Sequence, residues 1–331
     1  MSFFSHPSAA AVRPSVFRAA VRPFGMVLVC LSALVTGTAV RADQQLVVSI
    51  VTHGQASDPF WNVVKRGAME AAKELNVKME YHAPETFDMI AMSRLIDAAV
   101  NQRVSGLVVT DPDPDALGPA IKRAIAAGIP VVSMNSGIQA AGRLGIALHV
   151  GQDELSAGRF AGAEMKRRGG TKVLCVNQEV GSVDLDRRCQ GITQGFGGPV
   201  IILPTSTDPT EVAAKIRAAL ATDPSINFII GLSAPLVGEP AVEVVQSLGL
   251  ADKVKVATFD LSTHFLKDLS EGKAEFAVDQ GAFLQGYLSV VVVTLKVRCG
   301  AMPVGNITSG PNLVTRENAA QLIALAAKGL R

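Results

Sequence analysis

The strongest constraint on this chain is an alternation that runs through it twice. Short apolar runs of strand length take turns with amphipathic segments of helix length. Runs at 46–51, 78–81, 106–110 and 131–134 are separated by segments at 59–75, 89–101 and 116–127. In the first of these segments Phe60, Val63, Val64, Gly67, Ala68, Ala71, Ala72 and Leu75 recur at helical spacing. A β-α-β-α-β-α-β order demands a parallel sheet with right-handed crossovers and helices on its faces. The pattern then restarts, with strands expected at 172–177, 200–203, 228–232, 254–259 and 274–278. Helices are expected between them at 154–168, 185–196, 209–221, 237–248 and 263–271. The turns fall at Gly128-Ile129-Pro130, Gly169-Gly170 and Asp223-Pro224. The expectation is an α/β protein of two doubly wound parallel-sheet lobes that meet near 150–153. No Ser/Gly-rich linker lies there, so the joint is short and defined rather than a tether.

Length and charge agree with that reading. A chain of 331 residues exceeds what one core comfortably supports. The net charge of +2 gives no footprint for nucleic acid. Residues 1–42 hold Arg13, Arg18, Arg22 and Arg41 and no acid, and without them 27 basic groups face 29 acidic ones. That N-terminus reads as an export signal: an arginine-bearing start, an uncharged apolar stretch at 25–40, and small residues at Val40 and Ala42. Cleavage is expected before Asp43, giving a periplasmic protein. The apolar stretch has 16 residues, short of the roughly 20 that span a bilayer. No other segment reads as long and apolar enough to do so.

Cys175, Cys189 and Cys299 remain in the mature chain, an odd number without a C-x-x-C pair, so neither a disulfide framework nor a zinc site is indicated. Cys175 reads as a buried thiol, and a Cys175–Cys189 bond stays open in an oxidising compartment. No phosphate-binding glycine loop, paired-histidine metal motif or G-x-S-x-G elbow occurs. No enzyme, cofactor or metal is expected.

Candidate residues remain at the C-terminal ends of strands, where open α/β sheets bind ligands. Asp58-Pro59-Phe60-Trp61 stands where the first strand hands over to the first helix. Asp58 and Pro59 suit the start of that helix whatever else they do. Two adjacent aromatics cannot share one core stripe, and Trp61 is the only tryptophan. Asn135 and Ser136 follow the run at 131–134, Asp260 follows that at 254–259, and Gln280 follows that at 274–278. A cap for the helix near Thr263 is an equal alternative for Asp260. Arg188 follows a charged stretch at 184–187, and by itself reads as solvated.

Taken in order, these residues resemble the type I periplasmic sugar-binding proteins, the family of ribose-, galactose- and allose-binding proteins. The resemblance runs from Leu46 to about Gly310, through Ser57-Asp58-Pro59-Phe60-Trp61, Arg188-Cys189-Gln190-Gly191, Phe259-Asp260 and Asp279-Gln280. It implies lobes of 43–151 plus 281–308 and 152–280 plus 309–331, joined by three hinge crossings near 150–153, 280–281 and 308–310. It also implies that Asp58, Phe60, Trp61 and Asn135 line one wall of a cleft, Arg188, Ser233 and Asp260 the other, with Gln280 at a hinge. His53 is added as a possible donor. The family's Asp-Arg pair is replaced here by Asn135-Ser136, its Asn-Asp pair by Ser233-Ala234, and an aromatic by Thr207. The implied function is capture of a monosaccharide, amino sugar or polyol by hinge closure, for an ABC permease in the inner membrane. The protein would act as a monomer, without nucleic acid. Delivery to a membrane sensor is the alternative; a LacI-type regulator is disfavoured because no basic DNA-binding segment precedes the first strand. Truncating Arg188 or Asp260 is expected to cost affinity while leaving stability nearly unchanged.

Overall fold

The computed structural model describes Ser15, residues 45–54 and residues 58–331. Apart from Ser15, the leader expected over 1–42 lies outside the described residues, as does Ser57.

The first sheet has the order β11-β5-β4-β3-β1-β2 and is parallel throughout. Its strands are β1 (Val47–Val51), β2 (Lys78–His82), β3 (Gly106–Val109), β4 (Val131–Met134), β5 (Leu148–Gly151) and β11 (Ile307–Thr308). The second sheet has the order β12-β10-β9-β8-β6-β7. It contains β6 (Val173–Asn177), β7 (Val200–Pro204), β8 (Phe228–Gly231), β9 (Lys255–Phe259), β10 (Phe276–Asp279) and β12 (Asn312–Val314), the last antiparallel to β10. The two orders match strand for strand, so the second lobe repeats the first. The chain passes between the sheets after β5, after β10 and between β11 and β12.

Both faces of each sheet are covered by helices, and four hydrophobic clusters fill the layers. This explains why the central strands are apolar runs rather than alternating ones. Three helices open on Asp-Pro, namely α1 (Pro59–Glu74), α3 (Pro114–Ala126) and α7 (Pro209–Thr222). In each, the Asp side chain accepts first-turn N–H groups and proline occupies the position that needs none. The remaining helices are α2 (Met89–Asn101), α4 (Ile138–Leu144), α5 (Glu154–Arg167), α6 (Val183–Phe196), α8 (Glu239–Ser247), α9 (Thr263–Glu271), α10 (Ala282–Cys299) and α11 (Arg316–Ala327). A π-helical turn at Ala234–Gly238 precedes α8, where sequence periodicity predicts one helix from 237.

Two expectations are corrected here. Helix α10 is long and apolar enough, by length and composition, to cross a membrane. Its apolar residues serve the first lobe's core instead: Val290, Val292 and Val293 are buried against β-sheet and α1. Cys175 is not a thiol but is bonded to Cys189, tying β6 to the middle of α6 inside the second core; Cys299 is free and exposed.

Each lobe also contains a helix pair in which glycine lets backbone touch backbone. A Cβ on Gly67 of α1 would lie 2.1 Å from the Phe283 carbonyl oxygen of α10, and one on Gly286 2.0 Å from that of Val64. In the second lobe a Cβ on Gly158 of α5 would lie 2.2 Å from the Arg188 carbonyl oxygen, and one on Gly191 of α6 2.2 Å from that of Leu155. These contacts set the height of α1 and α6, the helices that carry Phe60, Trp61 and Arg188. Gly191→Ala must push α6 away from α5, and by the usual cost of overpacking it should destabilise the protein by about 1–3 kcal/mol, measured by urea unfolding. An unchanged midpoint would contradict this account of the pair.

Candidate functional site

The C-terminal ends of both sheets face one another across a single cleft. His53, Asp58, Phe60, Trp61, Asn135, Arg188, Ser233, Asp260 and Gln280 all line one cavity there. The first-lobe wall is built at the ends of β1 and β4. His53 donates its backbone N–H to Thr110 Oγ1 (2.9 Å), and its ring Nδ1 is hydrogen-bonded to the same hydroxyl (2.8 Å). The other ring nitrogen, Nε2, stands 3.8 Å from Glu179 Oε2 of the other lobe. Burial holds His53 down to about 3, so the ring is neutral. Its edge meets Trp61 at 4.7 Å between centroids, and Trp61 meets Phe60 at 5.1 Å. Gly54 makes room for this packing, since a Cβ there would lie 2.0 Å from the Trp61 ring. Asp58 caps α1 by accepting the Phe60 N–H at 2.9 Å, and burial still raises its pKa to about 6.

The floor is a chain of amides. Asn135 Nδ2 donates to Gln280 Oε1 (3.1 Å) and Gln285 Oε1 (3.2 Å), and Gln280 Nε2 donates to Asp260 Oδ1 (2.5 Å). Asn135 (φ 64°) and Asp260 (φ 67°) are both left-handed and follow the matching strands β4 and β9. The helix after Asp260 is capped by Ser262, whose Oγ accepts the Phe265 N–H, so the capping alternative for Asp260 does not hold.

On the second wall, Arg188 is buried rather than solvated. Its Nε donates to Glu154 Oε2 (2.6 Å), a terminal nitrogen donates to the Leu232 carbonyl (3.0 Å), and the guanidinium lies 4.3 Å from the Phe259 ring centre. Ser233 caps the π-helical turn, accepting the Leu236 N–H at 3.5 Å.

Ser136, named beside Asn135 at the end of its strand but not placed on a wall of the cleft, lines the same cavity, as do Glu154, Gln178, Glu179, Ser182, Asp184, Leu185 and Leu232, which sequence reading missed. Gln178 and Glu179 immediately follow β6, so the rule that singled out Asp260 could have found them. Asp184 lies one turn before Arg188 on α6, and its Oδ2 accepts the Gly137 N–H of the first lobe at 2.7 Å. The Val183 N–H likewise reaches the Pro112 carbonyl at 3.0 Å, so the lobes are closed on one another. Burial, with Glu154 nearby, raises Asp184 to about 7. Burial raises Glu179 to about 8, helped by Asp58 and opposed by Arg188, and raises Asp260 to about 7 against the pull of Arg188 and Gln280. Among the described residues, no group of three or more His, Cys, Asp and Glu side chains is placed to hold a metal ion.

The ion pair argues for the opposite of the sequence expectation, namely that removing Arg188 costs stability. Glu154 and Arg188 both belong to the second lobe, so their contact does not depend on closure. Arg188→Ala strands a buried carboxylate, and the ligand-free protein should lose about 3–5 kcal/mol in urea unfolding. A loss of affinity with the unfolding midpoint intact would show that the pair contributes nothing to the fold.

Comparison with known proteins gives a consistent result. A family model described as a periplasmic binding protein domain matches residues 48–300. The crystal structure of a carbohydrate transporter from Acidothermus cellulolyticus in complex with myo-inositol superposes with a TM-score of 0.82 at 38% identity, covering 87% of this chain and all of that one. A D-ribose/D-allose-binding protein of Pseudomonas aeruginosa is 25% identical over 299 residues, 84% of this chain and 91% of its own length. A xylose/arabinose-binding protein of Sulfolobus acidocaldarius is 21% identical over 282 residues, 79% of this chain and 69% of its own. With its two matched parallel-sheet lobes and strand-end cleft, the chain belongs to the periplasmic binding protein family, among the type I sugar-binding proteins of ABC importers.

Proposed function

We propose that this protein captures a small polyhydroxylated ring, a monosaccharide or cyclitol, by closing its lobes, and presents the closed form to an ABC permease. The observation that carries this is the composition of the cavity. Hydrogen-bonding groups from both lobes converge on one space beside Phe60 and Trp61, a combination suited to the hydroxyls and CH faces of a sugar. The myo-inositol of one relative and the ribose and allose of another belong to that class. Hinge motion belongs at the three crossings, between lobes of 43–151 plus 281–308 and 152–280 plus 309–331. Gln280 sits on the second crossing, and the ligand favours closure because it touches both walls. The protein does no chemistry on the ring. It acts as an exported monomer whose leader, residues 1–42, is removed in the periplasm.

A thermal-shift series with myo-inositol, D-ribose, D-allose, D-arabinose and D-glucosamine tests the reading. A ligand at one hundred times its Kd should raise stability by about 2.7 kcal/mol. A flat response to every member would overturn it.

Trp61 gives a second test. Ligand saturation should change the fluorescence of this single tryptophan, and Trp61→Ala should weaken binding by about 1–3 kcal/mol. Unaltered affinity in a folded Trp61→Ala protein would move the site elsewhere.

A further inference from the structure

The charges around the cavity do not balance for a neutral ring. Five carboxyl groups line it, Asp58 from the first lobe and Glu154, Glu179, Asp184 and Asp260 from the second, against one guanidinium. Arg188 is already committed to Glu154 and the Leu232 carbonyl. His53 adds no charge, because burial keeps it neutral. Arg187 bears on Asp184, at the edge of the cluster, and Tyr81 and Asp111 add no positive charge behind Asp58 and Asp184. Asp58, Glu179 and Asp260 therefore act on one another, and the single cation that reaches Glu179 and Asp260, Arg188, is shared with its ion-pair partner Glu154. Gln178 supplies a second, independent sign. It is 5% exposed, lines the same cavity, and its Oε1 has no hydrogen-bond partner among the described residues.

Buried carboxylates are costly unless paired, and a hydroxyl brings each of them a hydrogen bond but no charge. An ammonium brings three donors and the missing charge together. We propose that the ring captured here carries a protonated amine, as an amino sugar or aminocyclitol does, with the ammonium seated among Asp58, Glu179 and Asp260. The proposal rests on the reading of the cleft as a carbohydrate site.

The two kinds of ligand differ in their pH dependence. Closing on a neutral ring leaves the carboxyls unpaired, so they take up protons, and affinity falls as pH rises through about 6 to 8. Closing on an ammonium keeps the carboxylates ionised, as they are in the solvated open cleft, so no proton is taken up and affinity holds over the same range until the amine itself loses its proton.

Titration calorimetry on the wild-type protein, at pH 5 and pH 7, where the amines stay largely protonated, should use matched pairs: D-glucosamine with D-glucose, and scyllo-inosamine with scyllo-inositol. The expected result is that at least one amine binds tenfold or more tighter than its neutral partner at pH 7, and that this preference grows from pH 5 to pH 7. Asp58→Asn and Glu179→Gln should each remove most of that preference while affecting the neutral partner less. A neutral ring that binds as tightly as its amine, or a preference that shrinks from pH 5 to pH 7, discards the amine and leaves the carbohydrate reading standing. No binding in either set, together with a flat thermal-shift series, discards both.

Discussion

One side-chain amide joins the two lobes at the floor of the cleft. Gln280 reaches Asp260 of the second lobe through its nitrogen, and Asn135 of the first through its oxygen. Its position on a crossing segment ties these bonds to the path of the chain itself. Gln285 donates to the Gln280 backbone and side-chain oxygens, and Ser309 Oγ donates to the Gln280 carbonyl at 2.6 Å. The Ser309 N–H reaches the Gly151 carbonyl at 2.9 Å, so all three crossings meet in one hydrogen-bonded knot. The walls of the cavity can approach each other only as this knot allows.

The internal repeat explains why Asn135 and Asp260 are the partners. Each follows the fourth strand of its lobe and takes a left-handed turn there. That conformation is cheap for glycine and tolerable for Asn and Asp, whose short polar side chains can bond locally. Equivalent backbone thus delivers an amide from one lobe and a carboxylate from the other. A glutamine, with a donor and an acceptor, is the side chain that can bridge them.

Much of this fold is legible in the sequence because buried parallel strands are contiguous apolar runs. Strands β1, β3, β4 and β6 to β10 announce themselves in that way, whereas the edge strand β2, Lys-Met-Glu-Tyr-His, is half-exposed and mixed in character. The four-residue β5, with His149 inside it, does not, and neither do the two- and three-residue strands β11 and β12, which are too short for a period. The candidate site divides along a similar line. Asp58, Asn135, Asp260 and Gln280 could be named from their places at strand ends, and they share a cavity with His53, Phe60, Trp61, Arg188 and Ser233. Glu154, Asp184 and Arg188 sit in helices with charged neighbours, where local sequence says solvent. What buries Arg188 is Glu154 on α5, the carbonyl of Leu232 and the ring of Phe259, all distant in sequence. What buries Asp184 is the other lobe. The Cys175–Cys189 bond was undecidable for the same reason, since fourteen residues of separation do not tell whether a helix turns its cysteine toward the strand.

The glycine contacts between α1 and α10, and between α5 and α6, leave no side chain to act as a deformable spacer. In each pair the separation is fixed by backbone van der Waals radii, the least negotiable length in a protein. Residues at the strand ends can then be exchanged without altering the frame that presents them. Exchanging Asn135 for a charged side chain would change the cavity's charge, while α1 and α6 hold their places. In an evolving lineage, such a frame lets preference for one ring or another drift by single exchanges along the rim, each tested on a scaffold that has not moved.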